Sequence, residues 1–221
     1  MAQRVGAGLA LAVGLWATHA IAEETWRTVL EGPVTIRTRE VPGSDVHEYE
    51  VTGALDAPAF DLQATLTDPE RFPKFMPHVT EARILDHAGN VDRVYTRIDP
   101  PMAAPRDYVT EVTLVESVRA DGTGTFRQTW HALTDALPER SGVTRITINE
   151  GSWVITPTAD GRKSRIVYRF RVDPGGWVPG FVADLANKKA IPETLRAIER
   201  EAQRRGRERD VGGAARAGQP G

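Results

Sequence analysis

The chain of 221 residues contains no cysteine. That absence excludes disulfide scaffolds, cysteine-ligated zinc, iron–sulfur clusters, thiol nucleophiles and the lipid-modified cysteine of a lipoprotein. Basic residues are not in excess either, since 28 Lys and Arg stand against 30 Asp and Glu and leave a formal net charge of −2. This balance gives no electrostatic basis for nucleic acid as a main partner. We therefore expect a soluble globular domain that binds no nucleic acid.

Metal-binding and common catalytic motifs are missing as well. His47, His78, His87 and His131 are scattered, without the His-x-x-x-His or Glu-x-x-His spacing that places two ligands on one helix face. No Gly-x-Ser-x-Gly sequence is present, and Gly122-Thr123-Gly124 is typical of a hairpin turn rather than a phosphate loop. The sequence predicts no metal site and provides no catalytic residue that we can name.

Long hydrophobic runs are also rare, and the longest lies near the N-terminus. After Arg4, Val5–Ala17 is apolar or small, which is too short for a relaxed membrane span of about 20 residues. Ala20-Ile21-Ala22 then fits the small-x-small pattern that precedes signal peptidase cleavage. We interpret residues 1–22 as a signal peptide cleaved after Ala22, and the mature protein as periplasmic or secreted. An uncleaved membrane anchor is the alternative.

The other end of the chain offers little to bury. From Gly206 the sequence reads GRERDVGGAARAGQPG, which is rich in Gly, Ala and charge. Such a composition predicts a disordered tail over residues 206–221. The remaining residues, 23–205, form one predicted domain without internal repeats, and its folded part begins near Trp26.

Alternation of apolar and polar residues dominates the middle of the chain and predicts an antiparallel sheet with one buried face. An early strand contains Tyr49 and Val51, and a helix follows Pro58 as far as Leu66. Further strands are expected at about 79–87, 91–98, 106–117, 124–132, 144–157 and 163–172. The glycine at position 151 indicates a β-bulge within the fifth of these.

A long amphipathic helix is predicted from Pro179 to about Arg204, because apolar residues recur there at three- and four-residue steps. Pro192 should kink or restart this helix, since it lacks an amide proton and clashes with the preceding turn. A curved antiparallel sheet wrapped around one long C-terminal helix is an α+β arrangement. Such an arrangement leaves space for an apolar ligand between the sheet and the helix.

The inward faces of these elements predict which residues line that space. Strand parity and helix spacing select Tyr108, Val112, Phe126, Gln128, Trp130, Tyr168, Phe170 and Leu185. Tyr95, Arg97 and Trp153 join them, although the parity of their strands is ambiguous. An aromatic row on a buried face is more often part of a plain hydrophobic core than of a ligand site. Gln128 is more informative, because a buried amide without a partner costs roughly 1–3 kcal/mol and must bind either a ligand or a backbone group.

Several stretches resemble START domains of the polyketide-cyclase and lipid-transport superfamily, which have a helix-grip fold. The resemblance is carried by Trp26, Gly32, Val34 and Arg37, by Val41-Pro42-Gly43-Ser44, and by the runs 68–77, 94–98, 106–109 and 173–179. Phe75 and Met102 stand where related sequences often carry Trp. The resemblance implies an internal hydrophobic cavity that binds a lipid, sterol or other hydrophobic small molecule without any cofactor.

Two main functions follow from these observations. The favoured one is an exported lipid-binding module that would also suit lipid transport, and a carrier of this kind would contact membranes transiently. The alternative is an enzyme of the cyclase or aromatase type that acts on a hydrophobic ligand in the same cavity. A ligand-free interaction domain with a filled core is a third interpretation.

Overall fold

The fold is built from ten β-strands and two α-helices within the part of the chain that the structure describes. This computed structural model describes residues 25–101, 103–176 and 180–217, with the backbone alone at 180–188 and 212–217. The strands are Arg27–Leu30 (β1), Val34–Val41 (β2), Ser44–Leu55 (β3), Val79–Ala88 (β4), Val91–Ile98 (β5), Arg106–Glu116 (β6), Phe126–Ala132 (β7), Thr144–Arg145 (β8), Asn149–Pro157 (β9) and Ser164–Val172 (β10). The helices are Ala59–Leu66 (α1) and Gly180–Ala217 (α2), with a 3₁₀ helix at Pro69–Lys74.

Nine strands form one continuous curved sheet in the order β1-β2-β3-β10-β9-β7-β6-β5-β4, and all neighbours along it are antiparallel. The short β8 lies outside this order and pairs in parallel with the start of β6. It can do so because the pairing of β7 with β6 reaches only Thr110, which leaves Arg106 and Asp107 free on that side. The predicted α+β fold, an antiparallel sheet with a C-terminal helix, is confirmed.

The hydrophobic core lies between the inner face of the sheet and the two α-helices. On α2, the buried Ile191, Leu195, Ile198 and Ala202 recur every three or four residues, so this part of the helix presents one apolar stripe. They belong to the same buried cluster as Leu62 of α1 and the inward residues Ile36, Val51, Ile155 and Ile166 of the sheet. The stripe includes positions on both sides of Pro192, which lies inside the helix.

Helix α2 is longer than the sequence predicts. It continues beyond Arg204 to Ala217, so the expectation of a disordered tail from Gly206 is not met as far as that residue. Gly206 lies against α1, since a Cβ at this position would come within 2.9 Å of Oδ2 of Asp61. Arg209, one turn further on, forms an ion pair with the same carboxylate. The glycine that indicated disorder is therefore the residue that lets α2 approach α1 closely.

The predicted strand 144–157 is two separate strands, β8 and β9. No bulge occurs at Gly151, because this residue is paired in register with Phe170 of β10 and Trp130 of β7. Glycine is required there for another reason. A Cβ would lie 2.5 Å from Cζ2 of Trp130 and 2.3 Å from the carbonyl oxygen of Arg169, so the Trp130 indole lies directly over the glycine.

The outer face of the sheet is not uniformly exposed to water. Asp107, expected on the wet face, is only 1% exposed, because the segment between β7 and β9 covers the start of β6. Arg145 anchors this segment by donating hydrogen bonds to the Asp107 carboxylate, at 2.7 Å from its Nε to Oδ1. The same guanidinium donates to the carbonyl oxygens of Thr134, Leu137 and Pro138. The result is a second buried region, opposite the core.

Candidate ligand pocket

A pocket of about 160 Å³ lies between the inner face of the sheet and the helices. Its floor is provided by strands β5, β6, β7, β9 and β10, and the floor residues are Asp92, Val94, Thr96, Tyr108, Thr110, Val112, Gln128, Trp130, Asn149, Trp153 and Tyr168. Its roof comes from α1, the 3₁₀ helix, the residues next to them and α2, and the roof residues are Leu66, Thr67, Pro69, Phe72, Met76, Thr194 and Ile198. The pocket thus lies between the sheet on one side and the helices on the other.

The structure brings six of the predicted cavity residues together around this pocket. They are Tyr108, Val112, Gln128, Trp130, Trp153 and Tyr168. Phe126 and Phe170 also face inward, but both are buried in the adjacent hydrophobic core rather than in the pocket wall. The side chain of Leu185 lies outside the described residues.

Tyr95 and Arg97 were predicted to line the cavity, and the structure places both on the opposite face of the sheet. Their strand, β5, directs Val94 and Thr96 into the pocket, so the odd-numbered residues point outward. The Tyr95 hydroxyl donates a hydrogen bond to Oδ2 of Asp107 at 3.3 Å. Arg97 donates from Nε to Oδ1 of Asp99 at 3.0 Å on the surface. An aromatic residue on the outer face is stable here because the segment that contains β8 covers it.

Aromatic rings form a row along one wall of the pocket. The Tyr168 ring stacks on Trp153, with 4.0 Å between the ring centroids and 3° between the planes. On its other side Tyr168 stacks on Phe170, at 4.6 Å between centroids. Trp130 completes the wall, and its position over Gly151 directs Nε1 to donate a hydrogen bond to Oδ1 of Asn149 at 3.0 Å. These contacts hold the rings in fixed positions, so the wall is preformed.

Polar groups also face the pocket, and two of them lack protein partners. Gln128 is 7% exposed and lines the pocket, and its side-chain amide forms no hydrogen bond with any residue that the structure describes. The same is true of the Tyr168 hydroxyl, whose pKa is raised well above its usual value by burial. Burial also raises the pKa of Tyr108, while hydrogen bonding to Thr96 and Asn149 acts in the opposite direction. Both phenols therefore remain protonated and neutral at physiological pH.

Charge is scarce around the pocket. Among its described lining residues only Asp92 is charged, and its carboxylate pairs with His87, at 2.5 Å between Oδ1 and Nδ1. The arginines next to the inward residues of β7 and β10 lie on the outer face, where Arg127 and Arg169 pair with glutamates. No lysine or arginine is present in the described part of the wall. The pocket is thus apolar and aromatic, with neutral hydrogen-bonding groups.

The roof residues were not predicted from the sequence. Phe72 and Met76 belong to the proline-bracketed segment that begins at Pro69, and Thr194 and Ile198 come from α2. A signal was available in this segment, since two large apolar side chains four residues apart in a short helical turn must be covered by something. Their partner, the inner face of β5 and β6, is distant in sequence and could not be identified from local patterns.

Two further observations concern the described residues as a whole. Within the described residues, no group of three or more His, Asp or Glu side chains is arranged to hold a metal ion. The described helices include none that is both long and apolar enough to cross a membrane. What the arrangement can do chemically is to enclose an apolar group and to form hydrogen bonds with a neutral polar one.

Comparison with known proteins finds relatives over most of the chain. The chain is 28% identical over 200 residues to an uncharacterized protein of Pseudomonas aeruginosa, and the alignment covers 89% of this chain and 96% of that protein. It is 25% identical over 203 residues to the phosphatidylcholine transfer protein of Mus musculus, with 83% of this chain and 86% of that protein covered. Among solved structures, it is similar to the STAR-related lipid transfer protein (fragment 25–204) from Xanthomonas axonopodis.

That structural match has a TM-score of 0.68 and 26% sequence identity, and it covers 80% of this chain and 98% of the other. The model of the family described as polyketide cyclase/dehydrase and lipid transport matches residues 55–199. The matched region begins at the end of β3 and continues into α2, so it contains every described residue of the pocket wall. The chain belongs to the polyketide cyclase/dehydrase and lipid transport family.

Proposed function

We propose that this protein binds a lipid, sterol or other hydrophobic small molecule in the pocket between the sheet and α2. The observation that carries the proposal is the pocket wall itself, in which stacked aromatic rings lie beside an unpartnered amide, Gln128. Binding pockets typically combine an apolar wall with a few placed polar groups. The similarity to a phosphatidylcholine transfer protein and to a STAR-related lipid transfer protein supports the same ligand class.

The size of the pocket constrains how such a ligand is bound. Its 160 Å³ is close to the roughly 150 Å³ of an engineered apolar cavity that takes up benzene, and below the ~300–1,000 Å³ of typical ligand sites. One ring or a short chain therefore fits without rearrangement. A longer molecule must displace part of the roof, where Phe72 on the 3₁₀ helix and Met76 in the turn that follows it are half-buried side chains.

The part of α2 beyond Ile191, which contributes Thr194 and Ile198, is a less suitable part of the roof to move. Glu201 lies at the centre of an ion-pair cluster with Arg71, Arg204 and Arg205, and Arg205 also pairs with Asp68. This cluster ties α2 to the start of the 3₁₀ helix. We infer that ligand entry moves the end of the 3₁₀ helix, near Phe72 and Met76, while α2 beyond Ile191 stays in place.

Binding is tested by native mass spectrometry of the protein purified from an exporting host, followed by organic extraction. A stoichiometric adduct that extracts as a lipid or sterol is the expected result. Val112→Phe fills the pocket and should abolish the adduct. Val115→Phe is the matched control, because Val115 is on the same strand but 59% exposed, and it should retain the adduct. Equal retention by both variants, or a bare mass after incubation with a broad lipid mixture, would refute binding in this pocket.

The same variants and the extracted compound distinguish lipid transport from the cyclase alternative. A carrier should release its bound lipid to acceptor vesicles in a labelled-lipid transfer assay, and Val112→Phe should abolish that transfer. An extracted compound whose covalent structure differs from that of the compound supplied would instead indicate an enzyme of the cyclase type.

We also propose that the protein is exported, with residues 1–22 removed. Their short apolar run and the Ala20-Ile21-Ala22 motif support this proposal. Cell fractionation combined with N-terminal sequencing should find a periplasmic or secreted protein that begins at Glu23. Recovery from the cytoplasm with Met1 retained would refute the proposal.

A further inference from the structure

We propose that the pocket selects a neutral ligand group, a hydroxyl or a carbonyl, which hydrogen-bonds to Gln128 and Tyr168, and that no carboxylate or phosphate group of the ligand is held at this wall. This inference rests on the proposed function and makes the ligand class more specific. It depends on the position, the hydrogen-bonding capacity and the charge of the polar groups in the pocket wall.

The sheet register brings the two unpartnered groups to one wall of the pocket. Trp153 of β9 is paired with Tyr168 of β10 on one side and with Gln128 of β7 on the other. The three residues therefore form a row across the sheet, on the same face, with the two polar residues about 10 Å apart at their backbones. The Trp153 ring lies between them and stacks on Tyr168. A flat ligand ring placed against this wall has a polar group available at each side.

Both groups have hydrogen-bonding capacity that the described residues leave unused. The Gln128 amide can donate two hydrogen bonds and accept two, and the Tyr168 hydroxyl can donate one and accept one. Gln128 is more than nine-tenths buried and lines the pocket, so a ligand is the natural source of its missing partner. Because Gln128 and Tyr168 can both donate and accept, they can hydrogen-bond to a ligand hydroxyl, which also does both. Their N–H and O–H donors can also bind a ligand carbonyl oxygen, which only accepts.

The charge around the pocket argues against an anionic ligand. The described part of the wall contains no lysine or arginine to neutralise a buried carboxylate or phosphate. Its single charged residue, Asp92, is itself negative and would repel such a group. Transfer of an anion from water into an apolar site without a counter-charge is strongly unfavourable. A neutral polar group avoids this penalty and keeps the hydrogen bonds.

The test uses three one-ring probes that differ only in one substituent: 4-ethylphenol, ethylbenzene and 4-ethylbenzoate. One ring suits the volume of the pocket. Dissociation constants are measured on the purified protein by isothermal titration calorimetry at neutral pH, where the benzoate is ionised. We expect 4-ethylphenol to bind roughly 3- to 10-fold more tightly than ethylbenzene, as one or two net hydrogen bonds allow. The benzoate should bind more weakly than either.

Two variants identify the groups responsible. Gln128→Leu and Tyr168→Phe should each weaken 4-ethylphenol binding by roughly 3- to 10-fold and change ethylbenzene binding by less than about twofold. Tyr168→Phe keeps the ring that stacks on Trp153, so its fold should be unaffected. Thr129→Val, an exposed neighbour of Gln128 on the outer face, is the control and should bind all three probes as the unmodified protein does.

The outcomes separate this inference from the proposed function. If ethylbenzene binds as tightly as 4-ethylphenol, or if the benzoate binds as well as either, selection for a neutral polar group is wrong while binding in the pocket stands. If the variants leave the preference for the phenol unchanged, Gln128 and Tyr168 are not the groups involved. Failure of all three probes to bind would overturn this inference, whereas the proposed function is refuted only by a bare mass in the lipid-binding experiment above.

Discussion

Substitution of Arg145 by methionine should destabilise the fold severely without touching the pocket. Arg145 is 4% exposed, and its guanidinium donates to both oxygens of the Asp107 carboxylate, at 2.7 Å from Nε to Oδ1 and 3.4 Å from Nη2 to Oδ2. It also donates to three backbone carbonyls of the segment between β7 and β9. Methionine fills similar space but leaves a carboxylate that is 1% exposed without its cation.

Loss of one partner from a buried ion pair typically costs about 3–5 kcal/mol, because the remaining charge is desolvated and unpaired. Single domains of 150–250 residues lose about 2–4 °C in melting temperature per kcal/mol, so the expected decrease is about 6–20 °C. The free energy of unfolding should be measured by urea denaturation at neutral pH, followed by circular dichroism. Replacing both partners, as in Asp107→Leu with Arg145→Met, should recover a large part of the loss, since no buried charge then remains.

Arg127→Met is the matched control for this experiment. Arg127 pairs with Glu116 at 3.0 Å, but both side chains are about half exposed, and surface pairs of this kind contribute only about 0–1 kcal/mol. A loss below about 1 kcal/mol for Arg145→Met, similar to that of the control, would refute the reasoning that the covering segment is held by a buried ion pair. Equal losses for the single and double variants would also contradict it.

Three further changes test other parts of the structure. Burial opposes ionisation of Glu50, yet its two arginine partners lower its pKa below the usual value. The ionised Glu50 side chain therefore stabilises the fold at neutral pH, and this contribution is lost as the pH falls through the lowered pKa. The stability difference between the unmodified protein and Glu50→Gln should therefore shrink on acidification in urea titrations from neutral to acid pH. Burial raises the pKa of Asp61 despite its ion pair with Arg209, so Asp61→Asn should change the free energy of unfolding by less than about 1 kcal/mol at neutral pH. As the pH falls through the raised pKa, the unmodified protein takes up a proton at Asp61 and should become more stable relative to this variant. Gly151→Ala should cost about 1–3 kcal/mol in urea unfolding and shift the tryptophan emission, because its Cβ would overlap Trp130.

Sequence patterns predicted the inner face of the sheet well where the opposite face carries charge. On β7 and β10 the outward residues include Arg127, Arg165, Arg169 and Arg171, which cannot be buried without partners, so the inward direction of the aromatic residues follows. Gln128, Trp130 and Tyr168 were found by this rule. The same rule identified the C-terminal helix, because its apolar residues keep a single stripe through Ile198 and Ala202.

The errors arise where a distant segment changes what a face contacts. Tyr95 is an aromatic residue that the sequence analysis placed in the cavity, but it lies on the outer face of the sheet, where the segment anchored by Arg145 covers it. No local pattern near Tyr95 predicts that this distant segment packs there. Gly206 indicated disorder by composition, whereas in the structure it lies within α2 and against the Asp61 side chain of α1. In each case long-range packing decides the outcome, and packing is not expressed in local periodicity.

The unpartnered amide in the pocket leads to a prediction of unusual sign. Most substitutions of buried residues destabilise a protein, but Gln128→Leu should stabilise the ligand-free form, by about 1 kcal/mol, because it replaces an amide that faces an apolar pocket and has no hydrogen bond to the described residues. The same change should weaken 4-ethylphenol binding, so stability and affinity should move in opposite directions, as is common at functional sites. Urea denaturation of the ligand-stripped protein measures the first effect and calorimetry the second. A loss of stability of that size would mean that Gln128 is satisfied within the protein itself, and the amide would then be a structural part of the core rather than a ligand-binding group.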